Sequence, residues 1–599
     1  MILTRTWIEA DMGRLVLAWL LGCIAIVGSA TDSLAQQPNV IVIMSDDQGG
    51  ADYGFMGNSL IRTPELDAMH KRSGFLSKFY VSPVCAPTRA CLMTGRYNYR
   101  TRCIDTYVGR AMMDTAELTI AELLGDAGYQ TGIYGKWHMG DNYPLRAMDQ
   151  GFQDSLVHRG GGIGQPSDPI GAEGKYTDPT LIKNGVETPM KGYCTDIYFD
   201  AAMDFISKRA SAKQPFFTYI ATNAPHGPFH DVPKELYEEY SKVDFSPIIV
   251  RGKMNANRLA SENDKLARIA AMITNIDENV GRLFNKLDSL GITDNTIVMY
   301  LNDNGPNTAR FVGDMRGNKT QVDDGGIRSP LLFHWPAKVA AGRTNDALCA
   351  HIDILPTILD ACGVQAPAGH KLDGRSFLPL LTQTDAAWPA RQVVFQTHRG
   401  NVPTRFHHFA IHEDPWKLVH PSGFGKEAFE GEPKLQLYNL KDDPKQMKDV
   451  ATEHPEVAAR LKAAYEAWFQ DVSGTREENY APPRIVVGTE HEPVSVLTRQ
   501  DWRHVQGKPW AGNSNGFWLL ESPESATYKV ELIFANDHPA GNATVQFGDQ
   551  QKTVAISKQH NRGHKTEVVL PAGKLKLSVD VDFDGKIQGP HQVILTRKP

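Results

Sequence analysis

Four short apolar runs set the plan of the chain, because each ends abruptly in polar residues. Asn39-Val40-Ile41-Val42-Ile43-Met44 stops at Ser45-Asp46-Asp47-Gln48-Gly49, and residues 296–301 stop at Asn302-Asp303-Asn304-Gly305. Residues 216–220 lead to Asn223-Ala224-Pro225-His226-Gly227, and residues 130–134 to Gly135-Lys136-Trp137-His138. Unbroken apolar, β-branched runs suit strands buried on both faces. Between them lie helix-like stretches at 118–127, closed by Gly128, at 196–209, and at 263–290, closed by Gly291. This alternation predicts an α/β fold with a large mixed, mostly parallel sheet sandwiched by helices. In such sheets sites form beyond the carboxyl ends of the strands. Four strands therefore deliver polar residues to one edge.

From Arg391 the texture changes. Short alternating strands at 393–397, 408–411 and 416–420 precede Leu435-Gln436-Leu437-Tyr438-Asn439-Leu440 and a helix over 456–469, a small α+β subdomain. Residues 475–495, with Pro482, Pro483 and Pro493, read as a linker. Strand runs follow at 528–534, 543–547, 553–556, 566–570, 575–581 and 592–596, separated by turn residues and without a helix, which predicts an appended β-sandwich. Trp502, Trp510 and Trp518 are candidates for stacking on sugar, or for core and interface packing. The expected organisation is a signal peptide at 1–35, the α/β domain at 36–388, the subdomain at 389–474, the linker, and a sandwich at 496–599 that is a candidate carbohydrate-binding module.

Composition narrows the function. With a net charge of −6, 22% charged residues and no basic block, the 599-residue chain has nothing to hold nucleic acid. Arg5 and Arg14 precede an apolar run at 15–30, and Ser33-Leu34-Ala35 offers a small-x-small cleavage site, the pattern of an export signal. The run is shorter than the ~20 residues of a spanning helix. The expectation is a periplasmic or secreted protein without a transmembrane anchor; the apolar run continues past Cys23, which argues against a lipoprotein box at Leu20-Leu21-Gly22-Cys23. With Cys23 lost and Cys85 assigned below, Cys91, Cys103, Cys194, Cys349 and Cys362 permit at most two disulfides, and the fold should not depend on them.

The chemistry centres on Cys85-Ala86-Pro87-Thr88-Arg89, which runs on into Ala90-Cys91-Leu92-Met93-Thr94-Gly95-Arg96-Tyr97. Pro87 suits a first helical turn, so Cys85 is expected just ahead of a helix N-terminus, where backbone N–H groups favour developing negative charge. Asp46, Asp47, Asp303 and Asn304 offer oxygen ligands only, which suits a hard divalent cation and not zinc. The run from Cys85 to Tyr97 resembles the maturation motif of type I, formylglycine-dependent sulfatases of the arylsulfatase and alkaline-phosphatase-like superfamily. The motifs agree in type, order and spacing from Asn39 to about Phe469.

The resemblance implies a fold and a site. Cys85 would be oxidised to formylglycine by a formylglycine-generating or radical maturation enzyme, and Arg89 would orient it. Asp46, Asp47, Asp303 and Asn304, with Cys85, would hold Ca2+. Lys136, His138, His226 and Lys319 match positions that hold the sulfate or the formylglycine. The lysines would stabilise equatorial oxygens during in-line attack on sulfur, His226 would protonate the leaving alcohol, and His138 would take the proton that lets sulfate depart. Where the family has Glu-Gly-Gly-x-Arg this chain has Asp324-Gly325-Gly326-Ile327-Arg328, which leaves the packing of Asp324 open. The expected activity is hydrolysis of sulfate monoesters, with sulfated carbohydrate as substrate and specificity set by loops at 107–110 and His158-Arg159-Gly160-Gly161-Gly162. Alternatives are a phosphate or phosphonate ester hydrolase of the same superfamily, and a noncatalytic carbohydrate-binding protein.

Overall fold

The side chains of strand Asn39–Ser45 divide by parity: Val40, Val42 and Met44 enter one core, Ile41 and Ile43 another. Successive strand side chains point to opposite faces, so a run apolar at every position requires helices on both sides. In this computed structural model, which describes residues 37–250, 254–474, 478–558 and 563–599, both sides are covered. Helices Cys85–Thr94, Ile120–Asp126 and Ile354–Cys362 pack on one face, and Pro64–Arg72, Cys194–Ser211 and Ala256–Leu290 on the other. The signal-peptide reading of 1–35, with Cys23, lies outside the described residues.

Asn39–Ser45 has parallel neighbours in Thr296–Asn302 and Phe216–Ala221. Gln130–Lys136 and Asp154–His158 continue the parallel order. These strands form the centre of a ten-stranded mixed sheet. Antiparallel strands flank it, Leu331–His334 on one side, Thr180–Lys183 and Val186–Pro189 on the other. The expected α/β sheet is present.

Local signals place the helix ends. Thr119 and Glu122 close a capping box at the start of Ile120–Asp126, through N–H···O contacts of 3.1 and 2.8 Å. Ala256–Leu290 begins seven residues earlier than its apolar stripe suggested, because residues 256–261 are exposed and the start is set by the Asn255 cap on the Arg258 N–H (2.9 Å). The described cysteines Cys85, Cys91, Cys103, Cys194, Cys349 and Cys362 are buried free thiols. No helix among the described residues is long and apolar enough to cross a membrane.

The subdomain is a four-stranded antiparallel sheet of Val393–Gln396, Phe409–Glu413, Trp416–His420 and Gln436–Asn439. Helix Pro455–Ser473 covers it, with Leu461 and Tyr465 against Phe409 and Leu418. A buried ion pair ties it to the α/β domain: Lys417 Nζ donates to Asp324 Oδ1 (2.6 Å), while the Tyr80 hydroxyl donates to Oδ2 (3.0 Å). The acid that departs from the family pattern is thus the anchor between the two parts.

Beyond residue 480 a seven-stranded and a four-stranded sheet enclose a common core that includes Leu520, Val530, Val545, Leu577 and Leu595. Trp502 and Trp518 are fully buried in it, with ring centroids 5.8 Å apart, so of the two alternatives open for them core packing is the one found. Part of the proline-rich stretch is also built in, since Ile485–Val486 pairs with Leu520 and Glu521 and Ile485 is buried.

The Asp324–Lys417 anchor has measurable consequences. Removing one partner of a buried pair strands the other charge, so Lys417→Met should cost about 3–5 kcal/mol in urea unfolding. Burial pushes the Asp324 carboxyl up, but Lys417 and Arg328 outweigh it and hold the group down at about 2. Its folded value lies below the unfolded value of about 3.9, so its contribution is complete above that pH and is lost as pH falls through the folded value. Asp324→Asn should lack this part of the acid destabilisation, read from unfolding midpoints between about pH 4 and pH 2.

Candidate active site

The in-register pairing of Ser45 with Asn302 sets Asp46-Asp47 beside Asp303-Asn304. The Asp47 N–H donates to Asp303 Oδ1 (3.2 Å), and Asn304 Nδ2 donates to Asp47 Oδ1 (2.8 Å). All four residues are buried. Asp47 holds a φ of 63° and His138 one of 61°, a left-handed backbone that non-glycine residues adopt at a cost of order 1 kcal/mol or more. Two such positions thus stand at this edge.

Helix Cys85–Thr94 points its N-terminus into the same space. Cys85 is its first residue, not the one before it, and Pro87 falls in the first turn, where no intrahelical N–H is needed. The helix is locked to the strand end by Thr88 Oγ1, which donates to the Asp303 carbonyl (2.7 Å). Arg89 is wholly buried, donating to Asp303 Oδ2 (2.8 Å) and the Lys136 carbonyl (2.9 Å). Its guanidinium therefore positions a carboxylate and the strand end that carries Lys136.

Fixed cations complete the cluster. Lys136 Nζ donates to Asp46 Oδ2 (2.5 Å), and Lys319 Nζ binds Asp47 Oδ1 and lies 3.7 Å from Cys85 Sγ. Burial works against the Lys319 charge, but Asp47 holds it protonated, above the ordinary lysine range. Burial also lifts the Asp47 carboxyl, yet Lys319 and His226 outweigh it and keep the group below the usual range. For Asp303 burial prevails, reinforced by the Asp46 charge, and its carboxyl is raised. Burial pushes the Cys85 thiol up, so the unmodified side chain is a protonated, poor nucleophile.

The two histidines have defined tautomers. His138 Nε2 lies 2.7 Å from the Thr106 carbonyl, an acceptor, so Nε2 carries the proton and the buried, unpartnered Nδ1 keeps the lone pair. His226 Nδ1 lies 2.6 Å from the Gly227 carbonyl, so its Nε2 is the basic atom, 3.8 Å from Asp47 Oδ2. Burial lowers both rings, His226 to about 4. Every site residue named from the sequence is brought to this edge.

The cluster fits a hard cation. Asp46 Oδ1, Asp47 Oδ2 and Asn304 Oδ1 are buried acceptors without a hydrogen-bond partner. Leaving such atoms unsatisfied costs about 1–3 kcal/mol each. Atoms of Asp46, Cys85 and Asp303 lie within 4.8 Å of one another, as do those of Asp46, Asp47 and His226. Oxygen acceptors left unpaired are the ligands that a hard divalent cation takes.

Other contributors had no sequence signal of their own. Thr106 fixes His138, and the Tyr176 hydroxyl donates to the His226 carbonyl (2.6 Å). Gly161 and Gly162 were expected to line a specificity loop, but their steric role is visible only in three dimensions: a Cβ at Gly161 would sit 2.4 Å from His138 Nε2, and one at Gly162 2.9 Å from His226 Cε1. Gln500, from the sandwich, also reaches this edge, 3.4 Å from His138 Nε2.

Comparison with known proteins identifies the arrangement. The family model described as Sulfatase matches residues 38–364, more than half of the chain, and one described as N-sulphoglucosamine sulphohydrolase, C-terminal, matches 318–470. N-acetylgalactosamine-6-sulfatase of Canis lupus familiaris is 29% identical over 391 residues, 60% of this chain and 69% of that protein. N-acetylgalactosamine-6-O-sulfatase of Bacteroides thetaiotaomicron is 27% identical over 532 residues, 75% of this chain and 97% of that one. The crystal structure of Ps i-CgsB in complex with k-i-k-neocarrahexaose superimposes with a TM-score of 0.61 at 28% identity, covering 74% of this chain and 94% of its own. Sulfatases generally use a formylglycine and a metal ion. The chain belongs to the sulfatase family and is a sulfuric ester hydrolase.

Proposed function

We propose that this chain is an exported sulfatase that removes sulfate from sulfated carbohydrates, using a formylglycine derived from Cys85 and a Ca2+ ion held by Asp46, Asp47, Asp303 and Asn304, with the modified residue 85 as a further ligand. The observation that carries the reading is that two groups of ligand atoms, Asp46 with Cys85 and Asp303 and Asp46 with Asp47 and His226, each lie within 4.8 Å of one another, among residues whose oxygens Asp46 Oδ1, Asp47 Oδ2 and Asn304 Oδ1 are buried without partners. Sulfated sugars as substrates are supported by the names of the relatives, which include N-acetylgalactosamine-6-O- and N-acetylglucosamine-6-O-sulfatases. Export rests on the signal-like residues 1–35.

A sulfate monoester is a stable anion, and attack on sulfur requires its charge to be neutralised by groups already in place. When bound, the ion and the hydrated formylglycine supply a polarised sulfate oxygen and an acidified hydroxyl nucleophile. Lys136 and Lys319 hold fixed positive charge against the ester oxygens. His138, with Nε2–H committed to Thr106, accepts a proton at Nδ1. His226 faces the leaving oxygen with Nε2; an anionic ester opposite the ring opposes the effect of burial, so the proton is taken up as substrate binds and passed to the departing alcohol. Arg89 keeps Asp303 and the Lys136 strand end in register. Each residue of helix Cys85–Thr94 is buried, so a maturation enzyme must reach Cys85 before the chain folds.

Three measurements test this. Mass spectrometry of the peptide containing Cys85, from a host with maturation machinery, should show a loss of about 18 Da for thiol-to-aldehyde conversion, and an intact thiol would sink the mechanism. Calcium should stabilise the protein by about 2.7 kcal/mol at a hundred times its dissociation constant, and Asp47→Asn should abolish that shift in thermal unfolding. Gly161→Ala should reduce turnover of an aryl sulfate about 100-fold, because its methyl group displaces His138, while the circular dichroism spectrum is retained.

A further inference from the structure

We propose that the C-terminal β-sandwich is a working wall of the active site, and that Gln500 is a positioning residue which holds His138 in its proton-accepting tautomer through the Thr106 carbonyl. The proposal rests on the reading above, in which His138 Nδ1 accepts a proton.

Two donors converge on one oxygen. His138 Nε2 lies 2.7 Å and Gln500 Nε2 2.8 Å from the Thr106 carbonyl, and the two nitrogens are 3.4 Å apart. A carbonyl oxygen has two lone pairs, so both are engaged. The carbonyl also settles the Gln500 amide, because only its NH2 can face an acceptor. Gln500 is 1% exposed, and its Oε1 has no partner. The side chain acts on the carbonyl that orients His138.

The remaining contacts hold the same loop. Gly109 N–H donates to the Gln500 carbonyl (3.1 Å), and Arg503 donates to the Val108 carbonyl (2.7 Å). The Tyr107 ring meets Trp510 edge-on at 5.0 Å and lies under the Arg399 guanidinium of the small subdomain at 3.9 Å. Residues 105–110 of the α/β domain are therefore gripped from both C-terminal parts. The gripping loop is itself stiff: Trp518 Nε1 donates to the Thr498 carbonyl (2.8 Å), Trp510 Nε1 to the Arg499 carbonyl (3.2 Å), and Arg499 to the Pro590 and Gly589 carbonyls (2.9 and 2.7 Å). Trp518, buried, and Trp510, half-buried, pin the loop that presents Gln500.

Without Gln500 the Thr106 carbonyl loses one of its two donors and its loop one of its anchors, so the His138 ring is no longer confined to one orientation. A positioning defect of this kind lowers turnover more than substrate binding. The test uses the full-length protein. Gln500→Met keeps the buried volume and removes the amide; Gln500→Glu keeps the shape and replaces the donor by an acceptor facing a carbonyl. With para-nitrophenyl sulfate, both variants should lose about tenfold or more in kcat while KM stays within about twofold. The melting temperature of Gln500→Met should match that of the parent. On the same proteins with Cys85 unmodified, amide hydrogen exchange across residues 104–110 should accelerate in Gln500→Met. A parent-like kcat in Gln500→Met, or unchanged exchange in that segment, overturns the proposal. A parent protein inactive on every sulfate ester would defeat the reading of the site, and the exchange measurement, made without the modification, would still decide the clamp.

Discussion

Three carboxylates packed out of water at the ends of two adjacent strands are the constraint on which the site depends. Asp46, Asp47 and Asp303 are buried, and their mutual repulsion in a medium of low dielectric cannot be left uncompensated. The surrounding side chains answer that charge: Lys136 on Asp46, Lys319 on Asp47 and Arg89 on Asp303. Three oxygens still lack partners after those contacts, and their chemistry is that of a hard-cation site. In the function proposed above, Lys136 and Lys319, which balance two of the carboxylates, also receive the anionic ester, so that binding and charge balance draw on shared groups.

That set is held from several parts of the chain. The carboxylates, Lys136 and His226 follow parallel strands of the central sheet, Cys85 and Arg89 come from a helix laid across it, and Lys319 comes from the segment before the short helix Asp324–Ile327. Asp324 ties that helix to Lys417 of the subdomain, so the position of Lys319 is connected to subdomain packing. Gly305 needs its lack of a side chain here: a Cβ would meet the Gly325 carbonyl at 2.0 Å, so the segment after Asn304 lies flat against the Gly325-Gly326 pair. The glycine-rich motif is a close-packing device beside the Asp303-Asn304 strand end.

The left-handed backbone at Asp47 and His138, the orphaned oxygens and the buried like charges are local costs that meet at this strand edge. The fully apolar central strands and the two helical layers carry those costs. Separation of this sort lets the scaffold remain rigid while the strand edge holds groups whose protonation and ligation are displaced from their ordinary states.

The sequence by itself determined the sheet, its layers and most of the residues that gather at the candidate site. The reason is local: β-branched runs cut off by Asp-Asp, Asp-Asn or Lys-Trp-His specify both a buried strand and what stands at its end, and the Cys85 to Tyr97 run is specific at short range. Helix ends set by exposed polar turns, as at residues 256–261, were less legible because no apolar stripe marks them. Trp502 and Trp518 show the limit in the opposite direction, since aromatic identity does not say whether a ring faces sugar or core. Thr106, the steric role of Gly161, and Gln500 were decided only by tertiary structure. Gln500 meets Thr106 across 394 positions and His138 across 362, and contacts so remote follow from how the sandwich packs on the α/β domain, which no local pattern encodes.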